Sequence, residues 1–217
     1  MKAQPSNHLL PTTDGPLKTT VFVVDDDVSH LRSVSRLLRA SGFHVVIHNS
    51  AAEFLAELRP DMHGCVITDL MMPEMDGMAL QDALGQVGCP LPIIFLTGQG
   101  DIPASVQAMR AGAEDFLTKH APKEDLLAAV ARALGRDARL QALRQPFELL
   151  TDREREVLQH VVQGKLNKQI ASDLGIHERT VKLHRTHLTT KLGVPSVAEL
   201  TRLVQDAGVF KRVDSSL

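Results

Sequence analysis

The chain contains no tryptophan and no tyrosine, and aromatic residues are 3% of its 217 positions. A single-strand nucleic-acid platform needs rings on which bases stack, so the lack of both argues against that mode of binding. There are two cysteines, Cys65 and Cys89, each in or beside an apolar run. They read as packed free thiols of a reducing cytoplasm, not as a disulfide framework or a metal pair. No apolar stretch approaches the ~20 residues that a membrane span requires. The first residues, Met1 to Pro16, are polar and carry proline and glycine. They lack the apolar core of a signal peptide and read as a loose tail, so a cytoplasmic location is expected. No internal repeat and no low-complexity block is present. The net charge of −2 is unevenly spread. Residues 147–217 carry 11 lysines and arginines against 9 acids, and the rest carries 13 against 17. The basic side of the balance therefore lies at the C-terminal end.

Five short apolar runs are present: Val21–Val24, His44–Ile47, Cys65–Thr68, Ile93–Leu96 and Asp115–Leu117. Amphipathic segments separate them. Leu31, Val34, Leu37 and Leu38 mark one helix face. Comparable patterns cover Ala51–Leu58, Met78–Val87, Ile102–Arg110 and Lys123–Leu134. Strand and helix in alternation argue for a parallel sheet with helices on both faces. The charged, helix-prone stretch Gly135–Gln145 follows, with an expected break at Pro146, and reads as a linker that extends the preceding helix. From Leu149 onward only short helical patterns occur. Thr151-Asp152-Arg153-Glu154 has the form of a capping box.

The residues that close the apolar runs carry chemistry. The first run ends in Asp25-Asp26-Asp27, the third in Asp69, the fourth in Thr97 and the fifth at Lys119. In an open parallel sheet the carboxyl ends of the strands share one edge, where ligands bind. Clustered carboxylates with oxygen-only company favour a hard divalent cation such as Mg²⁺. A lysine supplies a positive charge suited to phosphate oxygens, and a threonine hydroxyl can hydrogen-bond one. Together they describe a site in which an aspartate attacks phosphorus and forms an acyl phosphate. The plain reading of Asp27, followed by Val28-Ser29-His30, is a helix-entry residue.

The second half reads as four short helices: Asp152–Gln163, Asn167–Leu174, about Glu178–Leu192, and one starting near Ser196. A short helix, a glycine turn and a longer basic helix form the layout of a helix-turn-helix. Ile170, Ala171, Leu174, Ile176, Val181, Leu188 and Leu192 are the expected core. Lys182, Leu183 and Thr186 share one face and are spaced to reach base edges in a major groove. Lys168, Arg179, Arg185 and Lys191 suit phosphates. The plain alternative is a solvated face on an ordinary helical bundle.

The wording of both halves matches known families. Val23-Val24-Asp25-Asp26, Thr68-Asp69-Leu70-Met71-Met72-Pro73-Glu74-Met75-Asp76-Gly77, Phe95-Leu96-Thr97-Gly98 and Phe116-Leu117-Thr118-Lys119 resemble the receiver domain of two-component response regulators. Leu150–Leu158, Asn167–Ala171, Thr180–His184 and Lys191–Val194 resemble the LuxR-type DNA-binding domain. Together they are similar to the FixJ/NarL group, with Gly100-Asp101-Ile102-Pro103 leaning to the FixJ side.

The resemblance implies a fold: a (βα)5 flavodoxin-like receiver domain followed by an all-α four-helix LuxR-type helix-turn-helix domain. The expected layout is a tail over 1–18, the receiver over 19–135, a helical linker over 136–148, the DNA-binding domain over 149–210 and a tail over 211–217. It also implies roles. Asp69 is the phosphoacceptor, while Asp25, Asp26 and Asp69, with the backbone carbonyl of Met71, hold Mg²⁺ or Mn²⁺. Thr97 and Phe116 form the switch pair, and Lys119 contacts the phosphoryl group. Met71 and Gln99 fall where such domains tune dephosphorylation. Thr180 joins the DNA-contacting set, and Ser196, Leu200, Leu203 and Val204 of the fourth helix fall where relatives dimerise. The implied partners are a sensor histidine kinase, double-stranded promoter DNA and a second copy of the chain, with no membrane. The implied protein is a transcription regulator and not an enzyme.

Four departures accompany the resemblance, one of them Thr186, where some relatives carry a groove-reading lysine. His120 stands where the family places a proline after the lysine, His177 where a serine caps the recognition helix, and Leu166 where a polar residue is common. Two other functions stay open on the residues. Asp25-Asp26-Asp27-Val28-Ser29 fits the nucleophile loop of haloacid-dehalogenase-type phosphatases, with Asp25 as nucleophile and Asp27 as general acid, although Asp69 is then unexplained. A constitutive DNA-binding protein with a vestigial receiver would accommodate His120.

Overall fold

The computed structural model describes residues 19–59, 61–89, 91–98 and 102–210. The two expected tails, 1–18 and 211–217, and Gln99, Gly100 and Asp101 lie outside the described residues. The order of elements is β1 (Thr20–Val24), α1 (Val28–Ala40), β2 (His44–His48), α2 (Ala51–Ala56), β3 (Gly64–Thr68), α3 (Gly77–Val87), β4 (Ile93–Thr97), α4 (Ile102–Arg110), β5 (Asp115–Thr118) and α5 (Lys123–Glu148). There follow α6 (Asp152–Val162), α7 (Asn167–Leu174), α8 (Glu178–Leu192) and α9 (Val197–Ala207).

The five strands form one parallel sheet in the order β2-β1-β3-β4-β5. β1, β3 and β4 are buried along their whole length. That explains why they read as continuous apolar runs and not as alternating ones. Alternate residues serve opposite faces. Val21, Val23, Cys65, Ile67, Ile94 and Leu96 pack against Leu31, Val34 and Leu38 of α1 and Leu126, Ala129, Val130 and Ala133 of α5. Phe22, Val24, Val66, Ile93 and Phe95 pack on the other side against Phe54, Leu80, Leu84 and Ala108. Cys65 and Cys89 are free thiols, and burial pushes Cys65 up to about 12, leaving it inert.

A third core lies in the C-terminal half, built on Val157, Leu158, Val161, Ile170, Val181, Leu188, Leu200 and Val204. The expected capping box is present: Thr151 Oγ1 accepts from the Glu154 N–H, and the Thr151 N–H donates to Glu154 Oε2 at 2.9 Å.

The expected break at Pro146 does not occur. Helix α5 runs through it to Glu148, 26 residues in all. A proline inside a helix removes a hydrogen bond and crowds the preceding turn. Here it stands two residues from the helix end, and the turn is anchored from both ends. Phe147 is buried in the third core and Leu143 packs against it, while Arg144 Nε donates to the Ala207 carbonyl at 2.7 Å. The segment expected as a linker is therefore packed structure belonging to both halves. Asp137 is the extreme case, only 1% exposed. Its Oδ2 accepts from the Gly64 N–H at 2.9 Å and from Gln141 Nε2 at 2.6 Å. Gly64 itself has φ +134°, and a Cβ there would lie 1.7 Å from the Thr20 carbonyl oxygen. The start of β3 is thus fixed by a glycine with no substitute and by a carboxylate from α5.

Burial raises the Asp137 carboxyl above its ordinary range, although the Gly64 N–H, His63, Gln141 and Arg144 oppose the shift. Replacing it by alanine leaves the buried Gly64 N–H without its acceptor. Asp137→Ala should cost about 1–3 kcal/mol in urea denaturation. The folded protein keeps this proton to higher pH than the unfolded chain. The difference from wild type should therefore be largest at low pH and narrow as pH rises through the raised value. An unchanged midpoint at low pH would contradict this role for Asp137.

Candidate functional site

The register brings four strand ends together. Val24 pairs with Thr68, Thr68 with Phe95, and Thr97 with Thr118. Asp25, Asp69, Thr97 and Lys119 thus lie along one edge, as the order of run endings suggested. Lys119 closes the group. Its Nζ lies 2.7 Å from Asp25 Oδ2 and 2.7 Å from Asp69 Oδ2. Asp25 is 2% exposed and Asp69 8%, so both carboxylates are largely removed from water. Burial alone raises Asp25, but hydrogen bonds from His30, Lys119 and the Asp27 N–H outweigh it and hold the carboxyl below its usual value. Burial would lower Lys119, and its bonds to Asp25 and Asp69 instead raise it. The ammonium and the carboxylates each secure the other's charge.

Asp69 is fixed by its backbone as well as by Lys119. Its N–H donates to the Val24 carbonyl, and its Oδ1 accepts from the Met71 N–H at 3.2 Å. The Gly77 of the Met75-Asp76-Gly77 stretch has a steric reason. A Cβ there would meet the Asp69 carbonyl oxygen at 2.4 Å and Phe95 Cε1 at 2.9 Å. Asp76 caps α3 by accepting from the Ala79 N–H at 2.7 Å. The loop after β3 is thereby held against the loop end that bears Asp69.

Asp25, Asp26 and Asp69 each offer a carboxylate oxygen, all within 4.8 Å of one another. The donors are oxygen only, two are buried and one is exposed, which fits a hard cation such as Mg²⁺ that keeps part of its water. Asp27 stands apart. Its Oδ1 accepts from the Ser29 N–H at 2.8 Å and the His30 N–H at 3.2 Å, so it caps α1. That geometry gives Asp27 a structural task in place of the general-acid role that a phosphatase would require. Thr97 is buried at the end of β4, and Phe116 is half-buried with its ring 6.0 Å from that of Phe95. Met71 is exposed. The Lys119–His120 bond is trans, there being no cis bond among the described residues, and His120 is exposed. Lys119 reaches both carboxylates nonetheless. His30 is a member of the site that the sequence reading missed: its Nδ1 lies 2.6 Å from Asp25 Oδ2. Its signal was its position one turn into α1, facing back to the strand end.

In the C-terminal half, Lys182, Leu183 and Thr186 are exposed on α8, and Lys168 and Arg179 are exposed nearby. Thr180 is half-buried. His177 precedes α8 and gives it no side-chain cap, and Leu166 in the same place before α7 relies on Gln169, whose Oε1 accepts from the Leu166 N–H at 2.8 Å. Two expected phosphate contacts are engaged inside the fold. Arg185 Nη1 donates to Asn167 Oδ1 at 2.9 Å, bracing α7 on α8. Lys191 Nζ donates to Glu154 Oε2 at 2.7 Å and to the Leu149 carbonyl at 3.2 Å. Lys191 thus has a structural task beside the buried Glu154 carboxylate, with its side chain still 34% exposed. The dimerisation set needs correction. Leu200 and Val204 are 1% and 4% exposed and belong to the core, since they occupy the apolar stripe of an amphipathic helix. Leu203 is half-buried, and Ser196 caps α9 by accepting from the Glu199 N–H.

The chain matches two family models: the response regulator receiver domain over residues 21–131, and the luxR family of bacterial regulatory proteins over residues 148–204. It is 40% identical to nodulation protein W of Bradyrhizobium diazoefficiens, covering 91% of this chain and 90% of that one. It is 40% identical to the transcriptional regulatory protein FixJ of Azorhizobium caulinodans, covering 93% and 99%. Among solved structures it is similar to the response regulator StyR, with 46% identity, a TM-score of 0.56 and coverage of 87% and 98%. It is also similar to full-length FixJ from B. japonicum, with 35% identity, a TM-score of 0.54 and coverage of 90% and 100%. Among the described residues no helix is long and apolar enough to cross a membrane.

The Glu154 carboxyl is penalised by burial, but bonds from Lys191 and Thr151 hold it down at about 2. Its contribution to stability is present above the ordinary carboxylate value and is lost as pH falls toward 2. Lys191→Met should destabilise the C-terminal half by about 1–3 kcal/mol in chemical denaturation at neutral pH. It should also move the acid loss to higher pH. A Lys191 that only touched DNA would leave both unchanged.

Proposed function

This chain belongs to the response regulators that couple a receiver domain to a LuxR-type DNA-binding domain, a family of transcription regulators, and on that premise we propose that Asp69 is the residue through which it is switched. The observation that carries this reading is the contact of Lys119 with both buried carboxylates, Asp25 and Asp69, at 2.7 Å each. A receiver implies a phosphohistidine donor on a kinase. The N–P bond of that histidine breaks, and an O–P bond forms to a carboxylate oxygen of Asp69. The product is an acyl phosphate, which carries more negative charge than the carboxylate it replaces.

Asp25, Asp26, Asp69 and the Met71 carbonyl would hold Mg²⁺, which neutralises charge on the phosphoryl oxygens when bound. Lys119 then turns its ammonium to a phosphoryl oxygen, and Thr97 supplies a hydroxyl from the adjacent strand. The two residues are linked, because the Lys119 N–H donates to the Thr97 carbonyl at 2.6 Å. Movement of Thr97 makes room for the half-buried Phe116 ring, which carries the change toward α4 and β5. His120 does not support a vestigial receiver, because Lys119 occupies its place without the usual proline.

The DNA contacts fall to Lys182, Leu183 and Thr186 for base edges, and to Lys168, Arg179, Thr180 and the free end of Arg185 for phosphates. The active species is a homodimer that pairs two α8 helices on promoter DNA, which raises affinity through effective concentration. On α9 the face open to a second copy is the one bearing Ala198 and Arg202, with Leu203 at its margin, because Leu200 and Val204 point inward.

A small-molecule phosphodonor should label wild type in the presence of Mg²⁺, and peptide mapping should place the label on Asp69. Asp69→Asn and Asp26→Ala should abolish labelling. Asp27→Ala should retain it at a stability cost of about 1 kcal/mol, the value of a helix cap. Label retained in Asp69→Asn but lost in Asp25→Asn would instead favour the phosphatase reading.

A further inference from the structure

The C-terminal half holds a second group of metal-ligating side chains that the DNA-binding role does not use. Glu154 of α6 and His184 and His187 of α8 each offer a ligand atom, and these atoms all lie within 4.8 Å of one another. The two histidines are three residues apart, so they stand on one side of the helix. Both lie beside Glu154 of α6, and His187, one turn beyond Leu183, borders the face that bears Lys182, Leu183 and Thr186. The two oxygens of Glu154 are used unequally. Oε2 accepts from the Thr151 N–H, the Thr151 hydroxyl and Lys191 Nζ, at 2.9, 3.0 and 2.7 Å. Oε1 lies 3.6 Å from His187 Nδ1, too long for a hydrogen bond. Glu154 is 3% exposed, so a buried carboxylate lies beside two imidazoles. His184 Nδ1 is itself buried with no hydrogen-bond partner. Buried polar atoms are seldom left in that condition.

We propose that Glu154, His184 and His187 form a transition-metal site, selective for Zn²⁺ and its borderline neighbours, that fastens the recognition helix α8 to α6. Two imidazoles and one carboxylate with a fourth position open to water make up a ligand set that zinc accepts, whereas Mg²⁺ prefers oxygen alone. Zinc bonds of ~2.0–2.1 Å in a tetrahedron place donors about 3.3 Å apart. The present atoms lie within 4.8 Å of one another, and His187 is 49% exposed and able to turn toward the other two ligands. Lys191 remains on the opposite oxygen, so the capping box and the metal use different atoms of one carboxylate. The site is independent of the phosphoryl chemistry: it would stand if Asp69 were never phosphorylated.

The test is a Co²⁺ titration of the full chain, followed by Zn²⁺ displacement. It is carried out on an Asp26→Asn background to remove a ligand of the receiver's acidic pocket. One Co²⁺ per chain should bind with a visible ligand-field band, and Zn²⁺ should abolish the band and raise the thermal midpoint, because a ligand of the folded state stabilises it. His187→Ala, at an exposed position, should weaken binding by at least the roughly 10–100-fold seen for loss of an outer-shell partner. Glu154→Gln, which preserves a capping-box acceptor, should do the same. No Co²⁺ band would overturn the proposal. Binding that survives Glu154→Gln unchanged would also overturn it, since it would show a pair of surface histidines and no built site. Binding indifferent to His187→Ala would place the metal elsewhere and overturn it equally.

Discussion

One ammonium group holds the working edge of this protein together. Lys119 Nζ sits 2.7 Å from a carboxylate oxygen of Asp25 and 2.7 Å from one of Asp69. Both acids are buried, so their mutual repulsion is poorly screened and must be answered locally. Parallel strands place the acids and the lysine on the same edge, and the register sets their spacing. The central strands are buried on both faces, which leaves the strand ends as the place where the sheet meets solvent with polar groups. The chemistry is thereby confined to an edge whose every member reports on its neighbours. Asp69 is tied to β1 through Val24, and Lys119 is tied to β4 through Thr97. The cation beside Asp69 is shared with Asp25, so the two carboxylates are linked electrostatically.

Much of this arrangement was legible in the chain. Apolar runs closing in Asp, Asp, Thr and Lys can be read without coordinates, because a parallel sheet converts sequence order into a common edge. Asp27 was legible as a cap for a similar reason: capping is a contact within three residues. The strand and helix positions agree with their patterns to within about a turn. The parts that were hidden depend on contacts across long separations. Lys191 looked like a free cation, because nothing near it in sequence shows that the buried Glu154 lies against it. Leu200 and Val204 were expected at an interface because relatives dimerise through that helix, and the resemblance does not show which of its faces is buried. Asp137 looked like a solvated linker charge until the Gly64 N–H was found against it. His30 looked like an ordinary helix residue until its ring met Asp25.

The two halves differ in how they handle buried charge. In the receiver three carboxylates, Asp25, Asp26 and Asp69, gather around one ammonium at an open edge. In the DNA-binding half, Glu154 is buried in a helix cap and answered by Lys191 from α8. That pair fixes the end of the recognition helix, while Arg185 and Asn167 fix its packing on α7. Lys182, Leu183 and Thr186 stay exposed on α8. Helix α5 joins the two regimes without an interruption, carrying Asp137 into the sheet and Phe147 into the helical core. One continuous element therefore joins the sheet to the helical core.

The most direct test of the account is the affinity for a DNA duplex selected for binding by the full-length protein. It is measured with and without a phosphodonor, in wild type and in Asp69→Asn, at one fixed salt concentration. The donor should tighten binding by wild type and leave Asp69→Asn unchanged. Equal affinities in all four measurements would contradict the switch, whatever label Asp69 accepts.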